Sequence, residues 1–345
     1  MALMNRILVP VALQAPPVPP ARDGRQHRWG GASMGTTWSV VAMLPPAADA
    51  DAIGAGIASV IDGVIAQMSN WEPDSDISRF NRAGAGSWHE LPPDCFAVLQ
   101  CALQVARDSG GAYDPSAGPL VDLWGFGPAP RRGAPPSPDA VQAARGRCGW
   151  SRIELDDDAR RARQPGGVSL DFCAIAKGFA VDAVARYLDT QGLAHHLTEI
   201  GGELRGHGVK PDGMPWWVAL EAPPGLGSDE QEKQEKQHGQ TLLALHGLSV
   251  ATSGDYRRYF DRDGRRYAHT IDPRTGYPAS HALASVTVIH PQCMLADALS
   301  TALTVLGPEA GMAHARRHGI AARFLVRTPG GFDEHLSPAF AAMLA

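Results

Sequence analysis

In the stretch CMLADALSTALTVLG, Cys293 to Gly307, apolar residues cover most of the circumference of a helix. Asp297 and Thr301 nevertheless stand four residues apart, on one face of it. A charged carboxylate on an apolar helix is costly unless something compensates it. Hard cations such as Mg²⁺ take carboxylate and hydroxyl oxygens and favour sites that phosphate and water also supply, so the pair reads as one half of a Mg²⁺ site. The alternative is structural: a first-turn Asp favoured by the helix dipole, with Thr301 bonding back to a carbonyl.

A second stretch, SLDFCAIAKGFAVDAVARYL, sets Asp171 just before a helix and Lys177 in or near its first turn. A lysine there opposes the helix dipole, but a helix N-terminus and an ammonium together attract phosphate. The GxxxxGK[ST] pattern of a P-loop is absent. An Asp171–Lys177 ion pair without any ligand explains the same residues.

The third stretch is ATSGDYRRYFDRDGRRYAHTIDPRTGYP. Asp263-Gly264 between two aromatic-bearing arms predicts a hairpin, and IDPRTG predicts a turn. His269 falls between them, at a strand end where an imidazole can face a cleft and accept a proton. It is also one of thirteen histidines, most of which need no such role. Trp71 in MSNWEPDSDISRFN and Tyr113-Asp114 in GGAYDPSAGPLV put aromatics on loops, where they can stack on a flat heterocycle or simply anchor the core. Gly201 and Gly202 in EIGGELRGHG allow either a close backbone approach to a ligand or a bulge.

The elements that must position these residues follow from periodicity. Helices are predicted at ADAIGAGIASVIDGVIAQMS, PPDCFAVLQCALQVARDSG and AIAKGFAVDAVARYLDTQG, beside the Cys293–Gly307 stretch. Strands are predicted at TTWSVVAML, PWWVALEA, TLLALHGLSVAT, ASVTVIH and IAARFLVRT. Residues 1–30 read as an irregular leader and 31–345 as one domain, with a polar insertion at 225–240. Mixed helices and strands with at least one hairpin predict an α+β fold of mostly antiparallel sheet.

Composition narrows the function classes. Of 345 residues, 44% are hydrophobic and 19% charged, enough for a sizeable core. The formal net charge of −5 lacks the basic excess of a nucleic-acid binder. Five scattered cysteines form no CxxC pair, so neither a disulfide framework nor a zinc cluster is expected, and most are expected to be buried. The N-terminal apolar run is short and broken by Pro10, no cysteine lies near it, and no membrane-spanning run is expected elsewhere. The expected compartment is the cytoplasm, with the periplasm as the alternative.

Taken in order, MGTTWSV, MSNWEPDSDISRFN, GGAYDPSAGPLV, LDFCAIAKGFAVD, EIGGELRGHG, ATSGDYRRYF, HTIDPRTGYP and CMLADALSTAL resemble the ApbE family of FAD:protein FMN transferases across about residues 31 to 340. The resemblance implies a T-fold-like α+β domain. It implies an enzyme that splits FAD, attaches FMN through its phosphate to a Thr or Ser hydroxyl of an acceptor flavoprotein, and releases AMP. By motif, Met34, Trp71, Ala112, Tyr113, Asp114, Asp171, Lys177 and Ile271 fall where the family contacts FAD. Asp297, Thr301 and the backbone carbonyl of Ala174 fall at its Mg²⁺ site, Lys177 also where it holds the phosphates, and His269 at its proposed base. Trp71 stands where Tyr is common, and Cys173 where Gly is common, a change expected to narrow the site. Members that mainly hydrolyse FAD to FMN and AMP, and a flavin carrier without turnover, are the alternatives.

Overall fold

The computed structural model describes residues 6–11, 18–129, 134–221, 240–329 and 331–345. The predicted polar insertion lies outside the described residues except for Gln240.

Eight strands form the central sheet: β1 (Arg25–Ser33), β2 (Thr36–Leu44), β3 (His196–Ile200), β4 (Glu203–His207), β5 (Leu248–Gly254), β6 (Leu283–His290), β7 (Ala321–Thr328) and β8 (Gly331–Leu336). Their order in space is their order in the chain, and every neighbouring pair is antiparallel. Four long helices are inserted between these strands: α1 (Ala50–Met68), α2 (Pro93–Asp108), α3 (Ala176–Thr190) and α4 (Cys293–His318). The fold is α+β, as expected.

Strand alternation gives the sheet two apolar faces. On β5, Ala251 points into the core beneath α4, whereas Val250 points into a second cluster with Leu8, Trp216, Leu243 and Phe340. Three short strands, Arg6–Leu8, Thr241–Leu245 and Trp216–Ala219, cover that second face with the C-terminal helix Pro338–Ala341. On the helical face α3 lies on β3 and β4, wedged between α1 and α4.

The expected irregular leader is corrected in two places. Arg6–Leu8 pairs in parallel with Thr241–Leu243, and Arg25–Ser33 pairs along its whole length with β2. RQHRWGGAS lacks an aliphatic alternation because β1 is a largely exposed edge strand. Backbone pairing holds it, and Trp29 pins it by donating Nε1–H to the Ala50 carbonyl at 2.8 Å. The β1–β2 hairpin closes through Met34 and Gly35, at φ 52° and 70°, the two-residue turn whose twist suits a hairpin.

Two further expectations need amending. α4 does not end at Gly307; it bends there, at φ 80° before Pro308, and resumes to His318. Among the described residues α1 is long and apolar enough to cross a membrane, but its Ile53, Ile57, Ile61, Val64 and Met68 pack into the core. Of the cysteines, Cys95 and Cys293 are buried, Cys101 and Cys148 half-buried and Cys173 exposed.

Candidate active site

The site is built where α3 meets α4. Packing there is tight enough to require glycine: a Cβ on Gly178 would lie 2.3 Å from the Cys293 carbonyl oxygen and 2.8 Å from the Asp297 Cβ. Since backbone cannot yield as a flexible side chain does, Gly178→Ala is expected to cost about 3 kcal/mol or more, read as a lowered urea midpoint.

That proximity brings Asp297 against the start of α3. It is the fifth residue of α4, past the first turn, and 3% exposed. Its Oδ2 accepts the Gly178 N–H at 3.0 Å and lies 3.7 Å from Lys177 Nζ. Gly178 is the third residue of α3, so its N–H is one of the donors a helix N-terminus leaves without an intrahelical acceptor, and Asp297 satisfies it from the neighbouring helix. Ala174 lies just ahead of the helix, and among the described residues no hydrogen bond reaches its carbonyl.

Thr301 does not bond back along its helix. Its Oγ1 meets Ser253 Oγ of β5 at 3.0 Å; Ser253 meets Ser300 Oγ at 2.7 Å, and Ser300 donates to the Asp297 carbonyl at 2.9 Å. Asp297 and Thr301 thus stand one turn apart on α4, with Asp297 held against the first turn of α3, and both carry oxygen atoms of the kind a hard cation takes.

Lys177 ignores Asp171. Its Nζ sits 2.7 Å from Glu203 Oε1, and its stem passes over Gly201, where a Cβ would come 3.4 Å from Lys177 Cδ. Gly201 is left-handed, at φ 63°. A Cβ there would also meet Thr36 Cγ2 at 2.9 Å, and one on Gly202 would meet the Arg257 guanidinium at 2.8 Å, so the glycine pair lets β2, Lys177 and Arg257 crowd the β3–β4 turn. Burial pulls the Lys177 ammonium down, but Asp297 and Glu203 raise it by more, so it stays charged.

Glu203, on β4, was not singled out by its sequence. It is 3% exposed, its Oε2 has no hydrogen-bond partner, and burial pushes its carboxyl up to about 7 despite the lysine. Two buried acids face one ammonium, and Glu203 answers by holding a proton as pH falls through about 7. The only signal in the sequence was an acid directly after a glycine pair.

The remaining motifs frame this cluster. Asn81 binds the Leu170 backbone both ways, accepting its N–H at 2.6 Å and donating to its carbonyl at 2.9 Å. Asp171 donates its N–H to the Pro115 carbonyl at 2.8 Å, and its Oδ1 accepts the Cys173 N–H at 2.8 Å. Three sequence motifs are thereby fastened together ahead of α3. Ala112 and Tyr113 are buried. Asp114 is engaged by Ser116 N–H at 2.8 Å, Ser116 Oγ–H at 2.6 Å and Trp150 N–H at 3.3 Å, so this loop offers a ligand backbone more readily than carboxylate. Trp71 is 48% exposed on its loop, and among the described residues no contact joins it to the Lys177 cluster.

His269 follows the predicted hairpin, which spans Tyr259–Arg262 and Arg265–Ala268 and turns through Asp263 and Gly264. The Arg258 carbonyl accepts both the His269 N–H and its Nδ1–H, each at 3.0 Å. With Nδ1 donating, Nε2 carries the lone pair. Burial pulls the imidazole down to about 4, and the nearby Arg258 and Lys177 charges press the same way. The hairpin is held by aromatic stacking: Phe260 on Tyr267 at 5.0 Å, Tyr267 on Trp124 at 5.6 Å, with Phe126 edge-on to His269 at 6.2 Å. Trp124 also donates Nε1–H to the Gly276 carbonyl at 2.9 Å, steadying the turn after Ile271, which is buried beside it. Trp124 and Phe126 were missed in the sequence because only the stack reveals their task.

Arg258 reaches across to the β1–β2 turn, where a Cβ on Gly35 would lie 3.9 Å from its guanidinium. Met34, in that turn, packs against the main core. A separate groove of about 690 Å³, between α2, α4 and the C-terminal segment, shares none of these residues.

The ApbE family model matches residues 34–324. Relatives include the FAD:protein FMN transferase of Vibrio cholerae, 36% identical over 94% of both chains, and that of Haemophilus influenzae, 37% identical over 90% of this chain and 89% of the relative. The apo crystal structure of the Pseudomonas stutzeri flavinyl transferase ApbE superposes with a TM-score of 0.84 at 40% identity, covering 93% of this chain and 97% of that one. The match runs through every element that builds the Asp297–Lys177 cluster, and the chain belongs to the ApbE family.

Proposed function

We propose that this chain transfers the FMN half of FAD to a Thr or Ser hydroxyl of an acceptor flavoprotein through a phosphoester bond, releasing AMP, in a Mg²⁺-dependent reaction. The observation that carries this reading is the pair of buried acids at the α3–α4 junction: Asp297 and Glu203 both face Lys177, and Asp297 is fastened to the first turn of α3.

Asp297, Thr301 and the Ala174 carbonyl would hold the Mg²⁺. Bound there, a dication supplies positive charge and stabilises charge developing on a pyrophosphate. Lys177, in the first turn of α3, would hold the phosphates while Glu203 steadies its ammonium. The backbone at Ala112 to Asp114, with Met34, Asp171, Ile271 and exposed Trp71, lines the flavin and nucleotide path. His269 Nε2 takes the acceptor hydroxyl proton as that oxygen attacks the FMN-side phosphorus. The P–O bond to AMP breaks, and AMP leaves with the bonding pair. A resting pKa near 4 is low for a base, but the anionic pyrophosphate raises it on binding. Exposed Cys173 adds bulk at the rim of this path.

Incubation with FAD, Mg²⁺ and candidate acceptors tests the reading. Covalent flavin fluorescence on the acceptor in a denaturing gel is the expected result. Free FMN and AMP without labelled acceptor would instead identify a pyrophosphatase, and unchanged FAD a carrier. Mass spectrometry for an added FMN on co-expressed proteins identifies the acceptor.

A further inference from the structure

At the far end of α3, about 18 Å along the helix from Lys177, a different set of side chains converges. Asp189 in the last turn of α3, His196 at the start of β3 and His207 at the end of β4 offer ligand atoms that all lie within 4.8 Å of one another. His196 and His207 are direct partners across the β3–β4 ladder. Asp189 Oδ1 is 3.6 Å from His196 Nε2 and 3.3 Å from His207 Nδ1.

Two features are hard to explain without a cation, and a third suits one. His196 is fully buried, yet neither of its ring nitrogens has a hydrogen-bond partner. Asp189 places a negative charge at a helix C-terminus, where the dipole is unfavourable, and the last turn of α3 has no basic residue. The spacing also fits: two ligand atoms 2.0–2.1 Å from one tetrahedral ion stand about 3.4 Å apart. Asp189 and His207 are each nearly half exposed, leaving an entry path and room for water as a further ligand. A third imidazole, that of His246, lies 6.2 Å from the His207 ring.

We propose that Asp189, His196 and His207 form a second metal site, separate from the Asp297 site, that takes a borderline dication of the Zn²⁺ class. Imidazole nitrogens with one carboxylate select such ions over Mg²⁺, which prefers oxygen. The ion ties the end of α3 to the β3–β4 hairpin. The opposite ends of those same elements carry Lys177 and Glu203, so the site braces the frame of the candidate active site from behind.

Co²⁺ is the probe. Full-length protein is titrated with Co²⁺ in millimolar Mg²⁺, which fills the oxygen site. The expected result is one equivalent bound, with the visible absorption of imidazole-ligated Co²⁺, displaced by Zn²⁺. Asp189→Asn and His207→Ala should each weaken that binding by about 100-fold or more, since they remove a direct ligand. Asp297→Ala should leave it unchanged while losing flavin transfer, so the two readings fail separately. Should His207→Ala not fold, Asp189→Asn carries the comparison, because it keeps the side-chain shape. Equal Co²⁺ affinity in wild type and Asp189→Asn, or Co²⁺ binding that disappears with Asp297, would overturn the proposal and leave an ordinary Asp–His contact.

Discussion

Asp297→Asn lowers flavin transfer at saturating FAD by at least about 10³-fold, the scale of removing a charge-stabilising centre worth several kcal/mol. Asparagine is the sharper substitution than alanine. Its amide oxygen can still accept the Gly178 N–H that Asp297 holds at 3.0 Å, so the α3–α4 junction survives while the charge is lost. Alanine should abolish transfer too, but it also strands the buried Gly178 N–H, at a cost of about 1–3 kcal/mol. Asn and Ala should therefore match in activity and differ in urea midpoint. Mg²⁺ titration of transfer should show no rescue in either variant. Wild-type turnover in Asp297→Asn would remove the metal from the reading, and with it the explanation of why two buried acids share one lysine.

His269→Ala is expected to slow transfer by about 10² to 10⁴, the usual worth of a positioned base, while FAD binding is kept. Binding should survive because Phe260, Tyr267 and Trp124 hold the hairpin by stacking, without the imidazole. A large loss of FAD affinity with unchanged turnover would reassign His269 to a structural role. The pH profile adds an independent readout. Since burial holds the imidazole near 4, below the ordinary 6.5, the base stays unprotonated as pH falls through 6.5 and is lost only near 4. The acid limb of kcat/KM, which reports the free enzyme, should lie near 4 and vanish in His269→Ala. A limb at 6.5 in wild type would mean the catalytic base is a solvent-exposed group.

The two predictions differ in how far the sequence carries them. Asp297 and Thr301 were legible as a pair because a helix repeats every 3.6 residues, so spacing alone puts them on one face. Lys177 was legible as misplaced for its helix dipole, but its partners were not: the sequence pointed to Asp171, six residues back, while Glu203 and Asp297 are its partners in space. His269 was legible as a strand-end residue after a hairpin. The carbonyl that sets its tautomer, Arg258 O, lies eleven residues back and is brought opposite only by the pairing of the two arms.

The amino-acid sequence by itself determined the long helices, four of the eight central strands (β2, β5, β6 and β7), the Asp263-Gly264 turn and the residue types available for phosphate chemistry, because periodicity and turn chemistry are properties of neighbours along the chain. It missed β1, β3, β4 and β8, polar or histidine-bearing strands without a clear apolar run, held in the sheet by backbone bonds that any residue can make. Only the tertiary structure decided the charge balance of the site. Gly178 and Asp297 are 119 residues apart, and it is the glycine-tight packing of α3 on α4 that hands a helix N-terminal N–H to a buried carboxylate and sets Asp297 and Glu203 about the same lysine. Burial and desolvation are properties of the assembled interior, and no window along the chain contains them.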